Sequence, residues 1–218
     1  LYNGGGLEVA QSLYSEYGMQ FIGWWIPGPE SLSSSAPLDG PEAMKDWKFR
    51  SPPGMQTKIF ANMGASPIVM DFTEVFTALE SGIIDGADYS NLANNASIGI
   101  YDLVKHATYP GFHSMPADHL AFNKSVWDGM PEDIQRIIEV AMQKLAFRTT
   151  LDVEVNSQRA SNELAAAGVT LHDWSVEDRA AFRTAAFEAW DEFATTQLAK
   201  DIIAQHKEFL GEIGVIAP

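Results

Sequence analysis

The strongest candidate for chemistry is an arginine at the end of a short predicted strand. Arg50 follows Lys48-Phe49 and precedes Ser51-Pro52-Pro53, whose two prolines must end the strand. Ligands of open α/β sheets bind at the carboxyl ends of strands. A planar guanidinium there can hold a carboxylate through two parallel hydrogen bonds. An ordinary surface or interlobe ion pair would show the same spacing, so position alone does not decide the role of Arg50.

A second predicted strand also runs into polar residues. Residues 84–87, Ile-Asp-Gly-Ala, lead into Asp88-Tyr89-Ser90-Asn91. The pattern predicts a strand followed by a polar loop. There Asp88 could bind a cation or accept a hydrogen bond from a ligand hydroxyl, while Tyr89 and Asn91 could donate. A helix cap in a solvated loop explains these residues equally well.

Three aromatic residues are candidates for apolar walls of a binding site. Phe72 follows a short predicted strand at residues 67–70, although it is equally plausible as a core residue. Trp24 and Trp25 are adjacent on a predicted strand, so their side chains face opposite ways. At most one of the two tryptophans can therefore line a ligand site, and the other belongs to a core or an interface.

The sequence carries no signature of catalysis. Its five histidines form no H-E-x-x-H or similar metalloprotease spacing, and it contains no G-x-S-x-G elbow. The absence of cysteine excludes thiolate nucleophiles, disulfides and cysteine-based metal sites. We therefore predict that the protein is not an enzyme, although acidic pairs such as Asp85 and Asp88 exist.

Charge and hydropathy exclude two further classes of partner. The 218 residues carry a formal net charge of -15 and no run of Lys and Arg, so nucleic acid would be repelled. No apolar run approaches the roughly 20 residues that cross a bilayer, so no direct membrane insertion is expected. A small anionic ligand would also be repelled at long range and would need local capture by specific groups.

The elements that must position these residues alternate between strand and helix. The predicted strands and extended segments are residues 20–26, 48–50, 67–70, 84–87, 107–112 and 120–123. The predicted helices are residues 7–17, 55–63, 73–81, 98–104, 131–167 and 175–210, and residues 27–40 are predicted as a long loop. Strands separated by helices indicate an α/β fold with a parallel sheet. The helix at 131–167 would be about 55 Å long, more than one small lobe needs.

The same residues resemble the solute-binding proteins of TRAP (tripartite ATP-independent periplasmic) transporters, of the dicarboxylate-receptor type, over essentially the whole chain. The motifs that carry the resemblance are Lys48-Phe49-Arg50-Ser51-Pro52, Gly64-Ala65-Ser66-Pro67, Phe72-Thr73-Glu74-Val75-Phe76-Thr77-Ala78-Leu79 and Gly82-Ile83-Ile84-Asp85-Gly86-Ala87. The resemblance implies that Arg50 holds the carboxylate of the ligand. It also places Phe72 and Tyr89 at positions that line the pocket.

The resemblance implies a periplasmic-binding-protein fold of two α/β lobes around a ligand cleft, joined by crossing strands and a long spine helix. The expected division puts residues 1–27 and 116–155 in lobe I, and residues 28–115 and 156–218 in lobe II. Because the chain starts at Leu1 without Met, we expect the N-terminal part of lobe I to be absent from this sequence. A signal peptide is expected in the full-length precursor.

Two segments are most similar to the branch of the family that binds 2-oxo or 2-hydroxy acids with a metal ion. They are Tyr2-Asn3-Gly4-Gly5-Gly6-Leu7-Glu8 and Tyr109-Pro110-Gly111-Phe112-His113. Members of that branch have a glutamine in the loop that corresponds to residues 27–34 and a glutamate directly after the position of His113. This chain has Glu30 in the loop and Ser114 after the histidine. Asp88 with Glu30 could still hold Ca²⁺ or Na⁺ through oxygen ligands.

The predicted function is that of a periplasmic receptor that binds a small organic carboxylate for delivery to TRAP membrane subunits, with no certain cofactor. Arg50 anchors the carboxylate, and the remaining contacts are predicted to come from Asp88, Tyr89, Asn91, Phe72, Trp24, Trp25, Glu30 and His113. Two alternatives stay open from the sequence. One is a periplasmic sensor module that presents the ligand to a signalling partner, and the other is an enzyme on the same fold.

Overall fold

The computed structural model describes residues 4–216, and this part of the chain contains eight strands and nine α-helices. The strands are β1 (Met19–Trp25), β2 (Glu30–Ser34), β3 (Lys48–Ser51), β4 (Ser66–Val69), β5 (Gly86–Asn91), β6 (His106–Thr108), β7 (Asp118–Asn123) and β8 (Thr170–His172). The helices are α1 (Gly6–Glu16), α2 (Met55–Asn62), α3 (Val75–Glu80), α4 (Leu92–Ser97), α5 (Ile100–Leu103), α6 (Lys124–Asp128), α7 (Glu132–Ala166), α8 (Val176–Phe193) and α9 (Gln197–Glu212). Among residues 4–216, every helix is too short or too polar to cross a bilayer.

Two of the strands differ from the sequence predictions in a way that matters for the site. The long loop predicted at residues 27–40 contains β2, which pairs antiparallel with both β5 and β6. The predicted strand at residues 84–87 begins later and continues through the polar residues to Asn91. Both predictions were wrong because these strands are rich in serine and other polar residues, whose strand structure depends on pairing with neighbours. Asp88, Tyr89 and Asn91 therefore lie on a strand and not in a loop.

The helical predictions at residues 98–104 and 175–210 were also too simple. Gly99, at φ +80°, separates α4 from α5. The last helix is interrupted after Phe193, and the hydroxyl of Thr196 accepts a hydrogen bond from the backbone N–H of Ala199, which starts α9. This local cap ends one helix and begins another, as side-chain hydroxyls at helix N-termini commonly do.

Contacts along the chain define two compact units. Within the described residues, the first unit comprises residues 4–28, 116–154 and 208–216, and the second comprises Pro29–Met115 and Val155–Lys207. Helix α7, 35 residues long, contributes residues to both. The lobe boundaries expected from the resemblance stay a prediction.

The first unit is built on an antiparallel pair, β1 with β7, against which α1 packs. The pairing is irregular between Phe21 and Gly23, where two steps along β1 oppose one step along β7. This bulge shifts the alternation of side chains. As a result the rings of Phe21 and Trp24 lie 4.6 Å apart, although they are three positions apart on one strand.

The second unit contains a six-stranded mixed sheet in the order β4-β3-β5-β2-β6-β8. Strand β3 is parallel to β4 and β5, and β6 is parallel to β8, whereas β2 runs antiparallel to both of its neighbours. The predicted parallel pairing is therefore correct for β4-β3-β5 and for β6 with β8, and β2 makes the whole sheet mixed. One core holds Phe49 with Phe60 of α2 and Phe182 of α8; the other holds Ala87 with residues of α3, α4 and α5.

Candidate functional site

Strands β3 and β5 lie side by side in the second unit, and their register brings Arg50 opposite Ala87. Phe49 points into the core with α2 and α8, so the alternation of a strand turns Arg50 to the other face. Arg50 is nonetheless only 4% exposed. A cationic side chain is therefore buried at the carboxyl end of the parallel strands β3 and β5.

The guanidinium of Arg50 is held by neutral acceptors. Its Nη1 donates to the carbonyl oxygen of Asp88 at 2.6 Å, and its Nε donates to the carbonyl oxygen of Met70 at 3.3 Å. Among residues 4–216, no carboxylate oxygen lies within 4 Å of its nitrogens. Burial lowers the pKa of Arg50, and the negative charges of Asp88 and Glu30 oppose that change. The side chain is thus oriented but not neutralised by a direct ion pair, and N–H groups remain for a ligand.

An aromatic wall lies directly beside this cation. The Cζ atom of Arg50 is 4.0 Å from the centre of the Phe72 ring, and the rings of Phe72 and Tyr89 are 4.6 Å apart. Phe72 starts a short 3-10 helix whose N-cap is Asp71, and hydrogen bonds from Thr73 lower the pKa of that aspartate. Because Phe72 is 45% exposed, its ring offers an apolar surface next to the guanidinium.

Three ionisable residues from distant parts of the chain meet near Arg50. The Nε2 atom of His113 lies 3.2 Å from Oδ1 of Asp88 and 3.9 Å from Oε2 of Glu30. The side chains of His113 and Asp88 are 0% and 1% exposed, whereas that of Glu30 is 18% exposed. The amide of Gln56, from the first turn of α2, donates to Oδ2 of Asp88. We call Glu30, Asp88, His113 and Gln56 the acidic cluster.

Within the acidic cluster, the surroundings of Glu30 disfavour its ionised form. Burial raises the pKa of Glu30, and the neighbouring charge of Asp88 raises it further. His113 and hydrogen bonds from Ser114 and Gln56 act in the opposite direction. The net direction is upward, so the ionised form of Glu30 is held in the fold at a cost.

Backbone contacts bring Glu30 and His113 together. The backbone N–H of Glu30 donates to the carbonyl of Ser114 at 2.9 Å. A Cβ atom at Gly111 would lie 2.1 Å from the carbonyl oxygen of Glu30, so only glycine permits this approach. The ring of His113 packs near Phe60, Phe112 and Phe182, and its Nδ1 atom has no hydrogen-bond partner among the described residues.

The structure brings together six of the residues named from the sequence: Arg50, Phe72, Tyr89, Asp88, Glu30 and His113. Asn91 is different, because its side-chain oxygen accepts from the N–H of Asn94 and caps α4. Trp24 and Trp25 belong to the first unit, where Trp24 packs on Phe21. The binding roles of all nine residues stay predictions.

Gln56 is the member of the acidic cluster that sequence reasoning missed. The branch resemblance predicts a glutamine within residues 27–34, whereas in this chain a glutamine of α2 contacts Asp88. A signal was present, since α2 directly follows β3 and its first turn must lie near the end of the neighbouring strand β5.

A mixed sheet covered by helices on both faces, with a buried cation at the end of a parallel strand pair, defines an α/β fold of the binding-protein type. The chain belongs to family 7 of the bacterial extracellular solute-binding proteins, whose family model matches residues 2–197. The description of the family is one of solute binding, which agrees with the absence of catalytic motifs from the sequence. The leading segment at Tyr2 and Asn3, used for the branch resemblance, lies outside the described residues.

Individual relatives agree with this membership. The chain is 25% identical, over 98% of its length and 59% of the relative's, to a monocarboxylate 2-oxoacid-binding periplasmic protein of Nostoc sp.. A TRAP periplasmic solute-binding protein of Rhodobacter sphaeroides, solved in an apo open state, is 36% identical with a TM-score of 0.81; the match covers 99% of this chain and 69% of that one.

A third relative was solved with ligands bound. It is a TRAP periplasmic solute-binding protein of Pseudoalteromonas atlantica T6c, with bound sodium and pyruvate. It is 25% identical with a TM-score of 0.82, and the match covers 97% of this chain and 65% of that one. The chain thus spans about three fifths of the curated relative and about two thirds of the solved structures.

Proposed function

We propose that the whole protein is the periplasmic solute receptor of a TRAP transporter and that it binds a small organic carboxylate for delivery to the membrane subunits. The observation that carries this proposal is Arg50, a buried guanidinium oriented by two carbonyl oxygens and without a carboxylate in direct contact among the described residues. A ligand carboxylate would complete its hydrogen bonds and supply the missing counter-charge.

The local energetics favour binding over a purely structural role. A buried ion pair is usually satisfied within the protein, and an unpaired buried charge is costly. This cost applies to Arg50, because burial lowers its pKa and the nearest acidic side chains raise that pKa only from beyond direct contact. Long-range repulsion by the net charge of -15 makes such a local anion site necessary for any carboxylate ligand.

The neighbouring aromatic residues suit the carbon skeleton of a small acid. Phe72 lies against Arg50 and is partly exposed, and Tyr89 packs on Phe72. We assign these rings to the apolar part of the ligand. Trp25 remains a proposed contact, whereas Trp24 already packs on Phe21.

Two relatives favour a 2-oxo acid as the substrate class, and the branch resemblance extends the class to 2-hydroxy acids. One relative is named for 2-oxoacid binding, and one solved relative contains pyruvate. This chain spans only part of both relatives, so we propose the substrate class for the whole protein.

A cation that bridges the ligand is a separate proposal, since one relative contains sodium. Glu30 and Asp88 would be its oxygen ligands. Both oxygens of Asp88 face nitrogen donors, the amide of Gln56 and the ring of His113. Na⁺ and Ca²⁺ prefer oxygen ligands, so this arrangement does not fit such an ion unless Gln56 and His113 move. In the proposed binding mode the ligand contacts the protein directly and not through an ion.

The decisive experiment is a thermal-shift screen of small carboxylates on the wild type, Arg50→Lys and Arg50→Ala. A ligand at about 100 times its Kd stabilises the wild type by about 2.7 kcal/mol. We expect Kd to rise at least tenfold in Arg50→Lys, which keeps the charge but loses the planar fork, and about 100-fold in Arg50→Ala. Arg136→Ala is the matched control, because Arg136 is exposed and, among the described residues, pairs only with Glu139 on its own helix.

Two results would contradict the proposal. One is that no carboxylate shifts the wild type, and the other is that a carboxylate shifts wild type and Arg50→Ala equally. The transport role is checked separately by uptake of the identified acid in cells that contain the matching membrane subunits.

A further inference from the structure

The two carbonyl oxygens that hold the guanidinium of Arg50 are supported in different ways. Asp88, whose carbonyl accepts from Nη1, lies within β5 and is paired with Leu32 of β2. Met70, whose carbonyl accepts from Nε, lies directly after Val69, the last residue of β4. The hydrogen bonds of the sheet therefore fix the first acceptor, whereas the position of the second depends on the turn that follows β4.

Both acceptors are needed to orient the guanidinium. One hydrogen bond leaves a planar group free to rotate about that bond, whereas two bonds from different N–H groups fix its plane. A carboxylate that accepts two parallel hydrogen bonds requires this plane to be set. Phe72, in the same turn as Met70, also has its ring centre 4.0 Å from Cζ of Arg50. The turn thus supplies one of the two orienting hydrogen bonds and the aromatic contact.

The turn is held by a capping box. Oδ1 of Asp71 accepts from the backbone N–H of Thr73 at 2.9 Å and from its hydroxyl at 2.7 Å. The carboxylate of Glu74 accepts from the backbone N–H of Asp71 at 3.3 Å, which completes the box. The four residues from Asp71 to Glu74 are exposed, and the core begins only at Val75. Hydrogen bonds to and from Asp71 therefore do for this turn what burial does for the strands beside it.

Asp71 lies between the two residues of the turn that contact Arg50, namely Met70 and Phe72. Resting on the proposed function, we infer that Asp71 is a positioning residue of the carboxylate site. Its cap fixes the carbonyl of Met70 and the ring of Phe72, and through them the plane of the Arg50 guanidinium. The negative charge of Asp71 by itself would oppose an anionic ligand, so the cap and the charge have effects of opposite sign.

An equivalent cap elsewhere in the chain provides the matched control. Oδ1 of Asn123 accepts from the backbone N–H of Ser125 at 3.0 Å and from its hydroxyl at 2.7 Å, at the start of α6. Asn123 belongs to the first unit, and Arg50 belongs to the second. Asn123→Ala therefore loses the same kind of cap as Asp71→Ala without a change next to Arg50.

The first measurement needs no ligand. Heteronuclear NMR detects the Nε–H group of Arg50, whose signal is identified by its absence from Arg50→Lys, and its exchange with solvent reports the hydrogen bond to Met70. In Asp71→Ala we expect this exchange to be about tenfold faster than in the wild type. Asp71→Asn and Asn123→Ala should stay within about twofold of the wild type, because asparagine caps as well as aspartate does.

Calorimetry then measures binding of pyruvate, lactate, succinate and the acid that gives the largest effect in the thermal-shift screen. In Asp71→Ala we expect Kd to rise about five- to tenfold, because the guanidinium must then be ordered when the ligand binds. Asp71→Asn should restore binding to within about twofold, and Asn123→Ala should bind like the wild type. In an Arg50→Lys background, which lacks the planar fork, Asp71→Ala should change Kd by less than about twofold.

The outcomes separate this inference from the proposed function. An unchanged Nε–H exchange or an unchanged Kd in Asp71→Ala would overturn the role of Asp71 and leave the receptor function standing. Equal weakening by Asp71→Ala and Asp71→Asn would overturn it too, because the charge and not the cap would then matter. The same holds if Asp71→Ala keeps its full effect in the Arg50→Lys background. If no carboxylate binds, or Arg50→Ala binds normally, the proposed function fails and the inference fails with it.

Discussion

Two buried polar regions lie side by side on strands β2 and β5, and they are satisfied in opposite ways. The first is a neutral network in which Asn95, 0% exposed, donates to the carbonyls of Ser31 and Ser90 at 2.9 and 3.0 Å. Ser31 Oγ donates to the carbonyl of Thr108, whose hydroxyl accepts from the N–H of Leu32 at 2.9 Å. Each of these contacts joins a buried donor to a buried acceptor, although the buried Oδ1 of Asn95 has no hydrogen-bond partner among the described residues.

The second region is the acidic cluster with Arg50. It contains formal charges of both signs, and within residues 4–216 no carboxylate lies within 4 Å of the guanidinium. The carboxylate of Glu30 is partly exposed. Burial of polar groups does not itself indicate function. A neutral network can specify the fold even with one buried acceptor unused, whereas a buried charge without a direct counter-charge indicates a site for a ligand.

The largest expected effect tests the neutral network. Asn95→Leu keeps the branched shape but is somewhat larger, and it removes the donor to the carbonyls of Ser31 and Ser90. We therefore expect a loss of about 3 kcal/mol in unfolding free energy. For a chain of this size that corresponds to a fall of roughly 6–12 °C in Tm. Thermal unfolding measures it. Ligand Kd at temperatures where the variant is folded should be unchanged; a large change in Kd would mean that the network belongs to the site.

A smaller loss is expected at the other end of the same network. Thr108→Val is nearly isosteric and removes only the hydroxyl that accepts from Leu32 N–H. One buried donor without a partner costs about 1–2 kcal/mol. Urea unfolding should show a lower midpoint at the same slope. A stability equal to the wild type would show that water or a backbone shift replaces this bond.

The contrast between the two regions also explains what the sequence could predict. Arg50 and Phe72 were found because each follows a short predicted strand that ends abruptly, which is a pattern of neighbouring residues in the chain. Strand β2 was missed because its Glu-Ser-Leu-Ser-Ser sequence has no strand periodicity of its own. Its structure depends on pairing with β5 and β6, which are distant in sequence.

The acidic cluster shows the same limit at the level of side chains. Asp88 and Glu30 were named together from a resemblance, but the contribution of Gln56 depends on how the first turn of α2 packs against β5. The spacing of 26 residues between Glu30 and Gln56 has no local meaning. Non-local packing decides such contacts, and a single sequence contains no direct signal for it.

Glu30→Gln should change stability in the direction opposite to the network variants. The pKa of Glu30 is raised in the fold, so ionising Glu30 is less favourable in the folded than in the unfolded chain. The wild type therefore loses stability as pH rises from the ordinary pKa of 4.5 through the raised pKa. Above that window we expect the variant to be more stable than the wild type by about 0.5–1 kcal/mol. The advantage should vanish as pH falls towards 4.5. Glu80→Gln, which removes one negative charge from the exposed surface of α3 and is measured in parallel, should show no such dependence.

The smallest effect concerns a third polar contact, which lies between the two extremes. Nδ1 of His106 and Nε2 of His172 are 3.0 Å apart on the parallel strands β6 and β8, and both side chains are partly exposed. Burial lowers the pKa of His172, and the neighbouring His106 lowers it further, while Asp39 opposes them. Below the ordinary value of 6.5 the unfolded chain therefore takes up a proton that the fold resists, and stability falls as pH falls.

His172→Gln removes that dependence while it keeps a hydrogen-bonding group at the same place. Because solvent screens the pair, we expect His172 to lower the unfolding free energy of the wild type by only about 0.3 kcal/mol between pH 7 and 5.5. The variant should lack this contribution. Unfolding curves at both pH values measure the difference. A titratable pair that solvent can reach should cost little, whereas the buried Glu30 costs more. If His172 produced the larger pH dependence, exposure would not be what separates inexpensive polar contacts from those maintained for a ligand.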